Sequence, residues 1–226
     1  MRFCFISDTH GLLPEIKGPV DFLFHCGDIC PLGNHDWPHQ LEYMQHTFLP
    51  WLDEQPAIYK VFIAGNHDYI WQTNPEEIGP TPLNCYYLKD NGTTLNGLNI
   101  YGSPWTPWFH DWAFNSPRYE PDKTEFMKER WALIPETTHV LLTHGPPHGI
   151  LDEVGRPQHR IHQGCNELRK RVEALPNLQI HSFGHLHNNM QMYYHDSGKV
   201  FINAAQMDDT HFDRLVKNPI YFELDI

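Results

Sequence analysis

Five short polar blocks, each placed directly after an apolar run, constrain the fold of this chain more than any other feature. The blocks are Asp8-Thr9-His10, Gly27-Asp28, Gly65-Asn66-His67-Asp68, Thr143-His144-Gly145 and Gly184-His185-Leu186-His187. Each preceding run has the length and composition of a buried β-strand. Each block contains side chains that can bind a metal ion. The pattern therefore predicts a set of strands that bring metal-binding side chains to one place.

The apolar runs alternate with segments of helical periodicity, which is typical of an α/β fold. Strands are predicted over residues 3–7, 22–25, 60–64, 99–102, 139–143, 180–183, 200–204 and 221–224, and helices over 38–54, 123–133 and 164–175. In open α/β sheets, ligands bind beyond the carboxyl ends of the strands. Because all five blocks lie at such ends, we expect one shared site in a single domain that comprises residues 1–226.

Composition narrows the choice of partners and compartment. The chain carries a formal net charge of −12, whereas proteins that hold long nucleic acid by its backbone are usually basic. The five cysteines are irregularly spaced and odd in number, so they predict no disulfide framework. No stretch reaches the ~20 apolar residues needed to span a membrane. We therefore expect a cytoplasmic protein whose partners include neither long nucleic acid nor membrane.

The first two blocks offer carboxylate and imidazole ligands. Asp8 and His10 lie two positions apart in an extended segment, so their side chains share a side and could hold one ion together. The two oxygens of the Asp28 carboxylate could bridge two cations. Taken alone, each of these residues is better explained by a polar turn.

The third block offers a neutral oxygen ligand, Asn66, followed by His67. A histidine in this position would lie near the metals without binding them, which suits a residue that donates a proton to a leaving oxygen. The same tetrapeptide also occurs at 33–36, where no strand precedes it. We interpret that second copy as a loop and the start of a helix.

Three further histidines, His144, His185 and His187, follow two other predicted strands. A lone histidine at a strand end is usually a hydrogen-bonded core residue, but seven ligand types in this order favour a metal centre. Only Asp8 and Asp28 among them are anionic, so two divalent ions would leave a charge of about +2 that attracts phosphate. The mixed nitrogen and oxygen donors suit Mn, which we expect first, and also Fe, Zn, Ni or Co.

The five blocks resemble those of the calcineurin-like metallophosphoesterase superfamily over essentially the whole chain. Segments 84–88, 102–109, 143–149 and 164–165 are also similar to the small metallophosphoesterase-domain-containing (MPPED) proteins, which are related to class III cyclic-nucleotide phosphodiesterases. The resemblance implies a four-layer α-β-β-α sandwich of the metallophosphoesterase type, with two divalent transition-metal ions at the strand ends.

The resemblance also implies a role for each residue of the site. One metal would be held by Asp8, His10, Asp28 and His187, with Asp28 as a bridge, and the second by Asn66, His144 and His185, while His67 would be the proton donor. Some similar animal proteins have glycine in place of His185. This chain keeps the histidine, so the second metal is expected to bind.

The predicted function is a metal-dependent phosphodiesterase for small esters, with cyclic nucleotides as the favoured class. A metal-bridging hydroxide would attack phosphorus and His67 would protonate the leaving oxygen. The alternatives are a phosphomonoesterase of broad specificity and a non-catalytic metal-binding scaffold.

An aromatic cluster of Trp105, Trp108, Phe109 and Trp112 could stack a nucleobase or could pack only on itself. His148, His159 and His162 could reach a substrate phosphate or lie on the surface.

Overall fold

Two β-sheets, each covered by helices on its outer face, form the layers of the structure. It is a computed structural model and describes residues 1–33, 35–156, 158–189, 191–211 and 213–224. The strands are β1 (Arg2–Ile6), β2 (Val20–Cys26), β3 (Ala57–Ile63), β4 (Cys85–Tyr87), β5 (Asn91–Leu95), β6 (Leu98–Ser103), β7 (Val140–Thr143), β8 (Glu153–Val154), β9 (Ile161–His162), β10 (Ile180–Phe183), β11 (Gln191–Tyr194), β12 (Val200–Asn203) and β13 (Ile220–Glu223). The α-helices are α1 (Trp37–Tyr43), α2 (Leu49–Glu54), α3 (Tyr69–Thr73), α4 (Asp122–Ala132) and α5 (Asn166–Ala174).

The two large sheets are mainly parallel. The first has the strand order β13-β1-β2-β3-β4, and only β13 runs antiparallel to its neighbour. The second has the order β11-β12-β10-β7-β6-β5, with antiparallel pairs at both edges. Because the central strands of each sheet are parallel, their carboxyl ends meet along one edge. This edge carries the five polar blocks.

Three separate apolar clusters fill the spaces between four layers. Between the sheets, Phe5 and Phe24 stack with ring centroids 5.1 Å apart and pack towards the second sheet. Phe48 belongs to the cluster under the helices of the first sheet, and Trp131 belongs to the one under the helices of the second. The predicted α/β fold and its α-β-β-α layering are therefore confirmed.

The predicted helix over 38–54 is interrupted, in contrast to the expectation of one continuous helix. A π-helical turn, Met44–Phe48, separates α1 from α2. Pro50 has no amide hydrogen, and in an α-helix its ring would meet the carbonyl four residues earlier. The wider π turn relieves this clash. Asp36 precedes α1, and Pro38 lies in its first turn.

All eight predicted strands are present, and the unpredicted ones lie mostly at edges. β5 has the polar sequence NGTTL, and β11 is the short, largely exposed strand QMYY. Neither is the buried apolar run on which the prediction depended. Within the ranges that the structure describes, no helix is long and apolar enough to cross a bilayer.

Candidate metal centre

Loops from both sheets are joined by backbone hydrogen bonds at the shared carboxyl edge. The amide of Asp8 donates to the carbonyl of Gly27 at 2.9 Å, and that of Gly184 donates to the carbonyl of His144 at 2.9 Å. A further parallel bridge between Ser7 and Ala205 connects the two sheets. The loops after β1, β2, β7 and β10 are thereby fixed relative to one another, and the predicted site residues meet at their centre.

Four of the predicted site residues adopt a left-handed backbone conformation. The φ angles are 52° for Asp8, 44° for His10, 55° for Asp28 and 66° for His185. This region is unfavourable for residues with a Cβ atom and costs on the order of 1–3 kcal/mol at each position. Such strain persists only where the surrounding structure requires it, and it clusters at functional sites.

Two glycines of the blocks lie directly behind the carboxylates. A Cβ atom on Gly184 would collide with Oδ2 of Asp8, and one on Gly65 would collide with Oδ1 of Asp28. Both carboxylates are almost wholly buried, at 0% and 2% exposure. Glycine is therefore required at these two positions because the carboxylate oxygens pack against the backbone.

One group of ligand atoms combines Asp8, His10 and His187. The Nε2 atom of His187 lies 3.3 Å from Oδ1 of Asp8 and 3.4 Å from Nε2 of His10. The three side chains come from the two different sheets, and their donor atoms lie close enough to hold one ion.

A second group combines Asp8, Asp28 and His144. The Nε2 atom of His144 lies 3.4 Å from Oδ2 of Asp28 and 2.8 Å from Oδ1 of Asn66. The other ring nitrogen of His144, Nδ1, donates to the carbonyl oxygen of Cys26 at 2.8 Å. This bond orients the ring with Nε2 towards the carboxylates, which is the usual second contact of a metal-binding histidine.

The separations of the donor atoms fit bound divalent ions. Two donors that each lie about 2.1 Å from one ion are about 3.0–3.4 Å apart in octahedral or tetrahedral geometry. The distances from imidazole nitrogen to carboxylate oxygen at this site are 3.3–3.6 Å, which is long for a charge-assisted hydrogen bond. The donor set thus fits a metal better than it fits a closed network of hydrogen bonds.

Asp8 belongs to both groups, whereas the family resemblance implied Asp28 as the bridge. Oδ2 of Asp28 lies 3.6 Å from Nε2 of His10 and 3.4 Å from Nε2 of His144, so this carboxylate also lies between the groups. The ring of His185 lies 5.0 Å from that of His144, measured between centroids, and its backbone amide donates to both oxygens of Asp8 at 3.0 Å. The assignment of each ligand to one ion stays a prediction.

Buried carboxylates and imidazoles shift one another's pKa values at this site. Burial favours the neutral form of Asp8, but the neighbouring His187 and His144 together outweigh burial and hold the pKa of Asp8 below the usual range. Burial likewise opposes charge on His144 and His187, yet Asp28 raises the pKa of His144 to about 9, and Asp209 and Asp8 raise the pKa of His187 to about 10. A metal would have to displace these protons, so its affinity falls as the pH falls.

His67 lies beside the ligands at the wall of a cavity of about 1210 Å³. Its backbone amide donates to Oδ1 of Asp28 at 2.8 Å, and its ring centroid lies 5.1 Å from that of His10. The cavity is open to His10, Asp28 and Asn66 as well. The side chain is therefore placed next to the ligand groups and facing the same space.

The aromatic cluster divides into two parts. Trp108, Phe109 and Trp112 line the cavity. The ring centroids of Trp112 and His67 are 4.5 Å apart. Trp105, in contrast, packs edge-on against Phe126 at 5.0 Å and does not line this cavity. Of the four residues in the aromatic cluster, three therefore line the cavity, whereas the indole nitrogen of Trp105 donates a hydrogen bond to Asp90.

Two of the three histidines in the other loop line the cavity. These are His148 and His162, whereas His159 does not. His162 lies 2.6 Å from the buried carboxylate of Asp152, measured from Nδ1 to Oδ1. No sequence pattern indicates this pairing, because the two residues lie on different sides of the short β8–β9 hairpin.

Sequence reasoning missed three residues that contact the site. The carboxylate of Asp68 accepts backbone hydrogen bonds from the loop that carries Asp28. Asp209 lies 3.2 Å from Nδ1 of His187, and His35 lies 3.0 Å from Nδ1 of His67, measured to its Nε2. Asp68 stands within the third polar block, and that position is a signal that could have identified it. Neither of the other two residues directly follows a predicted strand.

Comparison with known proteins assigns the family. The profile of the family described as calcineurin-like phosphoesterase matches residues 1–189. The chain therefore belongs to the calcineurin-like metallophosphoesterases, as its sequence blocks predicted.

Individual relatives agree with this assignment. The chain is 35% identical to metallophosphoesterase domain-containing protein 1 of Homo sapiens and of Mus musculus, over 90% of this chain and 65% of each relative. It is 31% identical to UPF0046 protein K07C11.7 of Caenorhabditis elegans, over 96% of this chain and 73% of that protein. The chain thus spans less than two thirds of the length of the two mammalian relatives.

A solved structure supports the fold alone. One crystal structure superposes with a TM-score of 0.52 at 16% sequence identity, and the superposition covers 89% of both chains.

Proposed function

We propose that this chain is a phosphodiesterase that hydrolyses small phosphate esters with two divalent metal ions bound at the strand ends. The observation that carries the proposal is the pair of ligand groups that share Asp8, one completed by His10 and His187 and the other by Asp28 and His144. Asn66 and His185 lie beside the second group and complete the seven proposed ligands.

Bound ions would supply positive charge beside the phosphate and lower the pKa of water into the neutral range. Residues of the chain itself would hold the ions and donate a proton to the leaving oxygen. His67, at the cavity wall, is the proposed proton donor to the leaving oxygen. The single strand–loop unit that carries both Asn66 and His67 fixes the donor relative to the ligands.

Cyclic nucleotides are the substrate class that we favour. Trp108, Phe109 and Trp112 line the cavity beside His67, and a nucleobase stacked on an aromatic ring contributes on the order of 1–3 kcal/mol.

The five cysteines are free and buried, which supports the further proposal of a reducing, cytoplasmic location. The shared core of the two sheets and the pairing of β13 with β1 support a single domain over residues 1–226.

The test is hydrolysis by metal-stripped protein to which Mn²⁺ is restored. We expect turnover of bis(4-nitrophenyl) phosphate that exceeds turnover of 4-nitrophenyl phosphate and that requires the metal. The Asn66→Ala variant should lose this activity. The control variant Asn177→Ala, which changes an exposed asparagine outside the proposed ligand set, should keep it. Turnover of the monoester alone would instead favour a phosphomonoesterase, and metal binding without turnover of either ester would favour a binding scaffold.

A further inference from the structure

The second copy of the Gly-Asn-His-Asp tetrapeptide lies against the first. The sequence pattern of this copy, 33–36, predicts a loop and the start of a helix, and Asp36 does precede α1. Asn34 lies outside the described residues. His35, however, reaches across to the other copy, and its Nε2 atom lies 3.0 Å from Nδ1 of His67.

This contact determines which nitrogen of His67 is free. A hydrogen bond between two imidazole nitrogens needs one N–H and one lone pair. Since Nδ1 of His67 is engaged by His35, Nε2 is the nitrogen left for the cavity that His67 lines. A proton donor needs this arrangement, because the donating N–H must face the substrate while the other nitrogen keeps a fixed partner.

Both histidines are held by their surroundings. The ring of His35 stacks on that of Tyr69 with centroids 4.7 Å apart and an angle of 24° between planes. The backbone carbonyl of His67 accepts a 2.7 Å hydrogen bond from the amide nitrogen of Gln40, a fully buried side chain in α1. His35 therefore lies on a supported loop and can fix the rotation of the His67 ring.

We propose that His35 is a positioning residue that holds the imidazole of His67 with Nε2 towards the substrate. The inference rests on the proposed function, in which His67 is the proton donor. When the bond between phosphorus and the leaving oxygen breaks, that oxygen takes the proton from Nε2 of His67. The proton on Nδ1 of His67 stays in its hydrogen bond to Nε2 of His35, and His67 ends the step neutral.

The test compares two diesters that differ in the acidity of the leaving phenol, methyl 4-nitrophenyl phosphate and methyl phenyl phosphate. Proton donation assists the poorer leaving group more. We expect His35→Ala to lower kcat for the phenyl ester by about 10-fold or more and for the nitrophenyl ester by less than about 3-fold, with KM little changed, since a proton donor contributes about 10²–10⁴-fold. The His35→Gln variant, whose side-chain oxygen can accept in place of Nε2, should recover most of the activity.

Two controls separate positioning from general damage. His39→Ala removes an exposed histidine from α1, which begins two residues after His35. It should leave the turnover of both esters unchanged. In a His67→Ala background, His35→Ala should cause no further loss, because the two residues act as one unit. Equal losses on both esters, or additive losses in the double variant, would overturn the proposal.

A structural readout keeps this proposal separate from the proposed function. Nitrogen-15 spectra of histidine-labelled, metal-free protein should show a protected proton on Nδ1 of His67, assigned by its absence in His67→Ala. The signal should be lost in His35→Ala and retained in His39→Ala. If the native protein hydrolyses neither ester, the proposed function fails, whereas a missing or unaltered Nδ1 signal would overturn the pairing with His35.

Discussion

The carboxylate of Asp68 accepts a hydrogen bond of 2.8 Å from the backbone amide of Cys30. It also accepts bonds from the amides of Ile29 at 2.9 Å and Gly65 at 2.7 Å. One fully buried side chain thus ties the loop that carries Asp28 to the loop that carries Asn66. The ligands of two neighbouring strands are held in register by this carboxylate.

Replacing Asp68 with asparagine should destabilise the fold and impair the site together. The asparagine side chain has one accepting oxygen where the buried carboxylate has two, so backbone N–H groups lose their acceptor. Each buried N–H group left without an acceptor lowers the free energy of unfolding by about 1–3 kcal/mol. Urea denaturation should show the loss of stability, and the folded fraction should turn over diesters more slowly. Asp53→Asn, at an exposed position, should change the free energy of unfolding by less than about 0.5 kcal/mol. A native-like midpoint for Asp68→Asn would contradict this role.

Gly184→Ala should damage the site more than the fold. The added Cβ atom meets Oδ2 of Asp8, so the carboxylate that both ligand groups share must move. We expect loss of Mn²⁺ affinity and of diester turnover. Gly198→Ala is the matched control, because Gly198 has a φ of 83° but open space around it. The Gly198→Ala variant should lose stability through backbone strain but keep the metal affinity of the native protein. Equal Mn²⁺ affinities in the two variants would contradict the claim that the added Cβ atom at position 184 displaces Asp8.

Asp209→Ala should weaken metal binding through His187. The carboxylate lies 3.2 Å from Nδ1 of that histidine, and removal of such a partner typically lowers metal affinity by about 10–100-fold. Calorimetric titration with Mn²⁺ measures the effect. The neighbouring Asp208→Asn variant keeps an oxygen for the amides of Thr210 and His211 and should bind Mn²⁺ as the native protein does. Identical affinities for both variants would show that Asp209 does not support the ligand.

His181 should make the metal-free protein sensitive to acid. Burial lowers its pKa to about 3 from 6.5, so between these values the unfolded chain binds a proton that the folded chain does not. The free energy of unfolding therefore falls as the pH falls from about 6.5, by up to about 1.4 kcal/mol per pH unit from this group.

Urea denaturation between pH 4 and 6.5 measures this dependence. In His181→Gln the slope of stability against pH should be smaller than in the native protein. The exposed His46→Gln should leave the slope unchanged. If the slopes of His181→Gln and the native protein coincide, His181 is not the group responsible.

The fold could be predicted from the sequence because its central strands are buried on both faces. Such strands appear as continuous apolar runs, and the carboxyl ends of parallel strands share an edge. The positions of the runs alone therefore predict that Asp8, Asp28 and His144 lie together. The interruption of the helix before β3 could not be predicted, because the periodicity of its apolar residues continues across Pro50 while the regular α-helical backbone does not.

Contacts between loops could not be predicted in this way. His35 and His67 are 32 positions apart and neither lies in a regular element, so no period in the sequence relates them. Asp209 follows β12 by several residues and meets His187 only through the path of its loop. The position of Trp105 depends on its bond to Asp90, which composition does not reveal.

The central claim is that two ions, held by the seven proposed ligands, are needed for hydrolysis. The most direct measurement is a titration of metal-stripped protein with Mn²⁺ in which bound manganese and turnover of bis(4-nitrophenyl) phosphate are determined in the same samples. We predict that turnover rises as the second ion binds and is complete at two ions per chain. Full turnover with one ion, or with none, would contradict the account.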